Sequence, residues 1–203
     1  MKNQVAIIDY GINNVSSVSK ALKMCGIKHV ITSSPEVLEG CSHIILPGVG
    51  SFDSGVENLQ VNGLDDAIIH AAKSGVYLLG ICLGMQILFN KSEESKKNIS
   101  GLGLLEGRVS HFEDCDKVTI PHMGWNEVYA IEKSEITSLF HKTDQYFVHS
   151  FFVVPKNIGV TSCECFHGIN FPATVVKENI YGVQFHPEKS PTGLQFMKNF
   201  CSQ

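Results

Sequence analysis

The chain has 203 residues, of which 43% are hydrophobic and 18% charged, with a formal net charge of -4. That length and apolar content suit one domain over residues 1–203 with its own core, and the acidic balance argues against a nucleic-acid surface. No stretch reaches the roughly 18 apolar residues of a membrane span.

The opening MKNQVAIIDYG moves straight into a strand pattern, without the length or cleavage site of a signal peptide. Val5-Ala6-Ile7-Ile8 reads as a strand buried on both faces. After Asp9-Tyr10-Gly11, apolar residues recur at Val15, Val18, Leu22 and Cys25. This is helical spacing, with Asn13 or Asn14 as N-cap and Gly26 as the stop. His43-Ile44-Ile45-Leu46 is the next strand, closed by Pro47-Gly48-Val49-Gly50. A second helix carries Leu64, Ile68, Ala71 and Ala72 on one face and ends at Gly75. Val76 to Ile81 is another strand, followed by a helix. Strands alternating with helices predict parallel βαβ units.

The second half brings strand-like pieces in succession: Arg108–Phe112, Glu127–Ile131, Tyr146–Val154, Val160–Phe166, Ala173–Val176 and Tyr181–Phe185. The predicted fold is therefore α/β, a central mostly parallel sheet flanked by helices, with an antiparallel extension in the second half. A last helix begins at Ser190-Pro191, an N-cap followed by proline at the first helical position. The mixed charge run Lys91–Lys97 reads as a solvated loop. Seven cysteines without framework spacing read as reduced thiols, which predicts a cytoplasmic protein.

The apolar run Val76–Phe89 is interrupted at Gly80-Ile81-Cys82-Leu83-Gly84, where a strand turns into a helix. This is the geometry of a nucleophile elbow: glycines flank a central residue exposed on a tight, strained turn. The usual serine is here a thiol. A helix N-terminus and a nearby imidazolium both favour the nucleophilic thiolate form, and the Leu83 N–H would point at an oxyanion. Tyr181–Glu188 reads as a strand ending at Pro187, with His186 and Glu188 two residues apart at its tip. Thiol, imidazole and orienting carboxylate make a Cys82-His186-Glu188 triad. The loop Pro47–Gly50 follows a parallel strand and so lies at the same carboxyl edge, where it could supply a second oxyanion N–H at Val49. Its glycines lack dinucleotide-binding spacing, so no cofactor is read there. Cys163, Cys165 and His167 could suggest a metal, but no second ligand pair stands at a zinc-like spacing, and no metal is predicted.

Together, Pro47–Gly50, Gly80–Gln86 and His186-Pro187-Glu188 resemble the motifs of the class I, triad-type glutamine amidotransferases. More narrowly, Ile8–Gly11, Pro47–Phe52, Tyr146–Ser150, His186–Ser190 and above all Pro121-His122-Met123-Gly124-Trp125-Asn126 resemble the glutaminase subunits of imidazole glycerol phosphate synthases. The resemblance implies that Cys82 attacks the side-chain amide of L-glutamine, that His186 and Glu188 serve it, and that Val49 and Leu83 bind the oxyanion. It implies that Gly48, Gly50, Gly84, Gln86, His149 and Ser150 shape the glutamine pocket. It further implies a heterodimer with a (β/α)8-barrel cyclase, docked on Pro121–Asn126, that uses the ammonia in histidine synthesis. Relatives of such subunits also serve the amidation of surface-polysaccharide sugars. A non-catalytic regulatory subunit and a cysteine peptidase are the readings from other classes. The chain departs from the family pattern at Ile12-Asn13-Asn14, at Lys117–Ile120 and at Phe151, none of which touches the triad.

Overall fold

The computed structural model describes residues 4–12, 14–112, 118–131 and 136–203. Among these, nine strands form one sheet in the order β2-β1-β3-β4-β12-β11-β10-β7-β8. The strands β1 (Val5–Ile8), β2 (His29–Thr32), β3 (His43–Gly48), β4 (Tyr77–Cys82) and β12 (Ile180–Val183) run parallel to one another. The other half is antiparallel: β11 (Ile169–Lys177), β10 (Thr161–His167), β7 (His122–Ala130) and β8 (Thr143–His149). The parallel sheet and its antiparallel extension are as the residue pattern predicts.

Alternation along β1 explains why a short apolar run suffices. Ala6 and Ile8 enter one core while Val5 and Ile7 enter another on the opposite face. Helices α2 (Phe52–Val61), α3 (Leu64–Lys73) and α4 (Leu83–Ile87) cover the first face, and α1 (Val15–Met24) and α5 (Pro191–Phe200) the second. Fully buried Phe196 and Phe200 anchor α5; each such ring contributes roughly 1.5–3 kcal/mol by leaving water. Ser190 caps α5 by accepting the Gly193 N–H at 2.9 Å.

Several elements differ from the sequence expectation. Helix α2 and strand β2 were not foreseen. The predicted helix after Cys82 lasts five residues, and the apolar run continues as a strand, β5 (Phe89–Ser92). It joins β6 (Leu105–His111) and β9 (Phe151–Pro155) in a separate three-stranded sheet. The expected Tyr146–Val154 strand thus divides at Ser150 between two sheets. Of the two proposed caps of α1, Asn13 lies outside the described residues. Asn14 occupies the cap position without a side-chain capping bond.

Candidate active site

Strand register brings the motifs to one edge. In the β3–β4 pair Gly48 stands opposite Cys82, and in the β12–β4 pair Val183 stands opposite Ile81. Pro47–Gly50, Cys82 and the segment after β12 therefore emerge together at the carboxyl ends of parallel strands, where α/β folds place ligands.

Cys82 sits at φ 55°, ψ -111°, a region L-residues rarely occupy. The turn closes because its flanking glycines carry no side chain. A Cβ on Gly84 would lie 1.9 Å from the Leu46 carbonyl oxygen, and one on Gly80 would lie 2.7 Å from the Gly84 backbone. Gly48 is packed as tightly, against the Tyr10 hydroxyl, the Gly84 nitrogen and the Leu83 side chain. Gly48 and Gly84 thus lie beneath the cleft and allow its walls to approach, rather than lining it. Gly50, at φ +89°, does line it, and the Tyr10 hydroxyl donates to the Pro47 carbonyl at 2.8 Å, tying down the start of the loop.

His186 Nδ1 and Glu188 Oε1 are 2.9 Å apart, both side chains almost fully buried. Asn14 Nδ2 donates to the same carboxylate oxygen at 3.1 Å. The side chain that could have capped α1 instead steadies Glu188. Burial alone would depress the His186 pKa, but hydrogen bonding to, and negative charge on, the Cys82 sulfur and the Glu188 carboxylate outweigh it and lift it to about 10. An imidazolium is thus the favoured form at neutral pH. Its Nε2 is buried without a hydrogen bond of normal geometry in the protein. Gln184 Nε2 donates to the Cys82 sulfur at 3.8 Å.

A cleft of about 360 Å³ opens over the Cys82 sulfur, lined among others by Val49, Gly50, Cys82, Leu83, Gln86 and His186. Pro121, Val148, His149, Ser150, Phe151 and Glu94 complete its lining. Both ring nitrogens of His149 are engaged inside the protein, Nδ1 with the Phe151 carbonyl at 2.7 Å and Nε2 with His122 at 3.0 Å. His149 therefore shapes the wall without a free polar atom for substrate. Glu94 went unrecognised in the sequence. Its charge run reads as a solvated loop, yet its carboxylate accepts the Phe52 N–H at 2.8 Å and faces the cleft. Burial pushes its pKa up, which the Phe52 N–H opposes. Gln184 had a legible signal: it lies two residues before His186, just past the end of β12, as a polar residue in an apolar run.

The Pro121–Asn126 segment is divided by strand alternation. Pro121 lines the cleft, and His122 is buried beneath the sheet surface. Met123 and Trp125 project outward, about 60% exposed, and the apolar surface continues through Tyr129, Ile131 and Phe166. Trp125 meets Tyr146 of β8 edge to face at 5.7 Å. Cys163 and Cys165 point into the core, where burial pushes their thiols up to about 11 and about 12. His167 meets the Thr119 carbonyl instead. Among the described residues, no group of three or more His, Cys, Asp or Glu is arranged to hold a metal ion. None of the described helices is long and apolar enough to cross a membrane.

A mixed sheet with a cysteine elbow at its carboxyl edge and a buried His-Glu pair beside it defines a class, and comparison with known proteins names it. Residues 6–203 match the family described as glutamine amidotransferase class-I, and the chain belongs to that family. Among solved structures, one glutamine amidotransferase crystal structure superposes with a TM-score of 0.77 at 19% identity, covering 98% of this chain and 99% of that one. The structure of PurLQS from Thermotoga maritima gives 0.77 at 20% identity, over 100% and 99%. These establish the fold.

Within the family, the relatives are named as subunit HisH of imidazole glycerol phosphate synthase, and the chain belongs with them. It is 41% identical to the protein of Geobacillus sp. (strain WCH70) over 98% of this chain and 96% of that one. The protein of Moorella thermoacetica is 44% identical over 97% and 93%. That of Methanococcus maripaludis, HisH 2, is 43% identical over 98% and 99%.

Proposed function

We propose that this chain is, over residues 1–203, the glutaminase subunit of an imidazole glycerol phosphate synthase, hydrolysing L-glutamine to glutamate and ammonia for histidine biosynthesis. The observation that carries this reading is the strained Cys82 at the floor of a cleft, beside a His186 held at 2.9 Å by a buried carboxylate.

The Cys82 sulfur attacks as the thiolate, its proton held on His186 Nε2, at the side-chain carbonyl carbon of glutamine, and the N–H groups of Val49 and Leu83 take the negative charge that develops on oxygen. His186, held as imidazolium, gives the Nε2 proton to the departing nitrogen, and ammonia leaves. The same imidazole then takes a proton from water as it attacks the glutamyl thioester, and glutamate is released. Glu188 keeps Nδ1 engaged throughout, and Asn14 keeps Glu188 in place. Gln86 and Ser150 offer polar groups to the amide. Glu94, the acid in the cleft wall, suits the α-ammonium of an amino-acid substrate.

Ammonia protonated by water loses its nucleophilicity, so it is passed directly to a barrel-shaped cyclase subunit. The exposed apolar strip of Met123 and Trp125 beside the cleft is a fitting docking surface. Six described cysteines are free, which suits a reducing cytoplasm. The names of the relatives favour histidine synthesis over sugar amidation.

The test is a glutaminase assay on wild type and Cys82→Ala, each alone and with the barrel partner carrying its ligand. The expected result is weak activity of the wild type alone, strong stimulation by the partner, and a loss of at least about a thousandfold in the variant. Equal activity in the two proteins would end the triad assignment.

A further inference from the structure

Asn126, His122 and His149 are joined in a chain whose hydrogen positions follow from its two ends. At one end the Phe151 carbonyl can only accept, so His149 Nδ1 must donate to it across 2.7 Å. Neutral His149 then has Nε2 as an acceptor, and His122 Nδ1 must donate across 3.0 Å. That leaves His122 Nε2 as an acceptor. At the other end, Asn126 Nδ2 donates to the Phe166 carbonyl at 2.9 Å, and Asn126 Oδ1 accepts the Glu127 N–H at 2.9 Å. Its amide orientation is thereby fixed, and the second Nδ2 hydrogen faces His122 Nε2 at 3.1 Å. The two ends demand the same tautomers, and both rings must be neutral for every bond to be made.

The chain does not stop at Phe151. Its carbonyl also accepts Gln86 Nε2 at 2.9 Å, and the same nitrogen donates to Gln184 Oε1 at 3.1 Å. Both amide hydrogens of Gln86 are thus committed, and what Gln86 offers a ligand is its carbonyl oxygen. Gln184 in turn reaches the Cys82 sulfur. His122 is held flat in this path, stacked between His167 at 4.1 Å and Phe147 at 4.7 Å.

We propose that Asn126, His122 and His149 are positioning residues: a one-directional hydrogen-bond relay that fixes the Phe151 carbonyl and, through it, the orientation of Gln86 in the cleft wall. The proposal rests on the glutaminase reading and deepens it. The relay starts on β7, the strand whose outward residues Met123 and Trp125 form the apolar strip, and ends beside the nucleophile. Neutral His149 has a second effect, since it places no positive charge next to the His186 imidazolium; burial holds its pKa down to about 3.

The first measurement is ¹⁵N NMR of the histidine rings at pH 7 in the full chain bound to its barrel partner. The relay requires His122 and His149 both to be Nδ1–H tautomers; an Nε2–H form or an even mixture at either ring overturns it. The second is steady-state glutamine hydrolysis by three variants. His122→Phe keeps the stacked ring but cannot donate, and KM for glutamine rises about tenfold with kcat changed less than about twofold, the worth of one buried hydrogen bond. His122→Asn restores an amide hydrogen near Nδ1 and recovers most of that loss. Asn126→Asp removes the donor to Nε2, moves the His122 proton to Nε2, and raises KM similarly even if His122→Phe fails to fold. Unchanged KM in the variants that fold, with an active wild type, overturns the relay. A wild type with the required tautomers but no glutaminase activity overturns the function on which it rests.

Discussion

Cys82 is held in its strained conformation by what its neighbours lack. A positive φ at a residue with a side chain costs on the order of 1–3 kcal/mol, and surrounding packing must offset it. Gly84 makes that packing possible, because its bare Cα sits against the Leu46 carbonyl. Alanine there would gain up to about 1 kcal/mol of helix propensity. Against this stands a Cβ 1.9 Å from a backbone oxygen, a clash relieved only by moving β3 from α4, at about 3 kcal/mol or more. The clash wins, so Gly84→Ala should lower the urea midpoint; an unchanged or higher midpoint would show that the two elements can part without cost. The elbow was legible because glycine, cysteine and glycine at a strand end have few structural uses. Glu94 was not, because its place depends on a loop folding back against the first turn of α2, a contact that local sequence does not encode.

Strands β7 and β8 concentrate buried histidines, and this gives the sheet a pH signature. Burial pushes His122 down to about 4 and His149 down to about 3, with His167 beside the first and His186 beside the second adding to the effect. Unfolded, each would titrate near 6.5. Their contribution to stability is therefore fully present above 6.5 and lost as pH falls through 4 toward 3. His186 has the opposite sign: its contribution is present below 6.5 and lost as pH rises through about 10. Wild type should thus lose more stability between pH 7 and pH 4.5 than His122→Phe does, measured by urea midpoints; parallel losses would place the acid sensitivity elsewhere. The same strands mark the limit of reading elements from pattern. The PHMGWN segment is strand from His122 on, with His122 turned inward and Met123 outward, but its glycine and proline hid the alternation. Helix α2 could have been found, since Phe52, Val56 and Leu59 fall on one face. Strand β5 could not: Leu88 and Phe89 continue the helical spacing of the elbow, and only pairing with the distant β6 makes them strand.

At the scale of the molecule, the parallel half of the sheet does the assembling. Four pairings in the order β1-β3-β4-β12 and β1-β2 run the same way, so loops distant in sequence leave the sheet at one rim. The antiparallel half adds Val148 and His149 to the cleft lining and carries the outward apolar strip. This division explains why a lone thiol, a lone imidazole and a lone acid, each unremarkable in its own stretch of sequence, meet at one cleft. The most direct measurement is to treat the chain, bound to the proposed partner subunit of the synthase, with a glutamine-like α-diazoketone and locate the adduct by peptide mass spectrometry. The account predicts one adduct, on Cys82, prevented by excess L-glutamine and absent from Cys82→Ala. Unmodified Cys82, or an adduct on another cysteine that glutamine does not suppress, would contradict it.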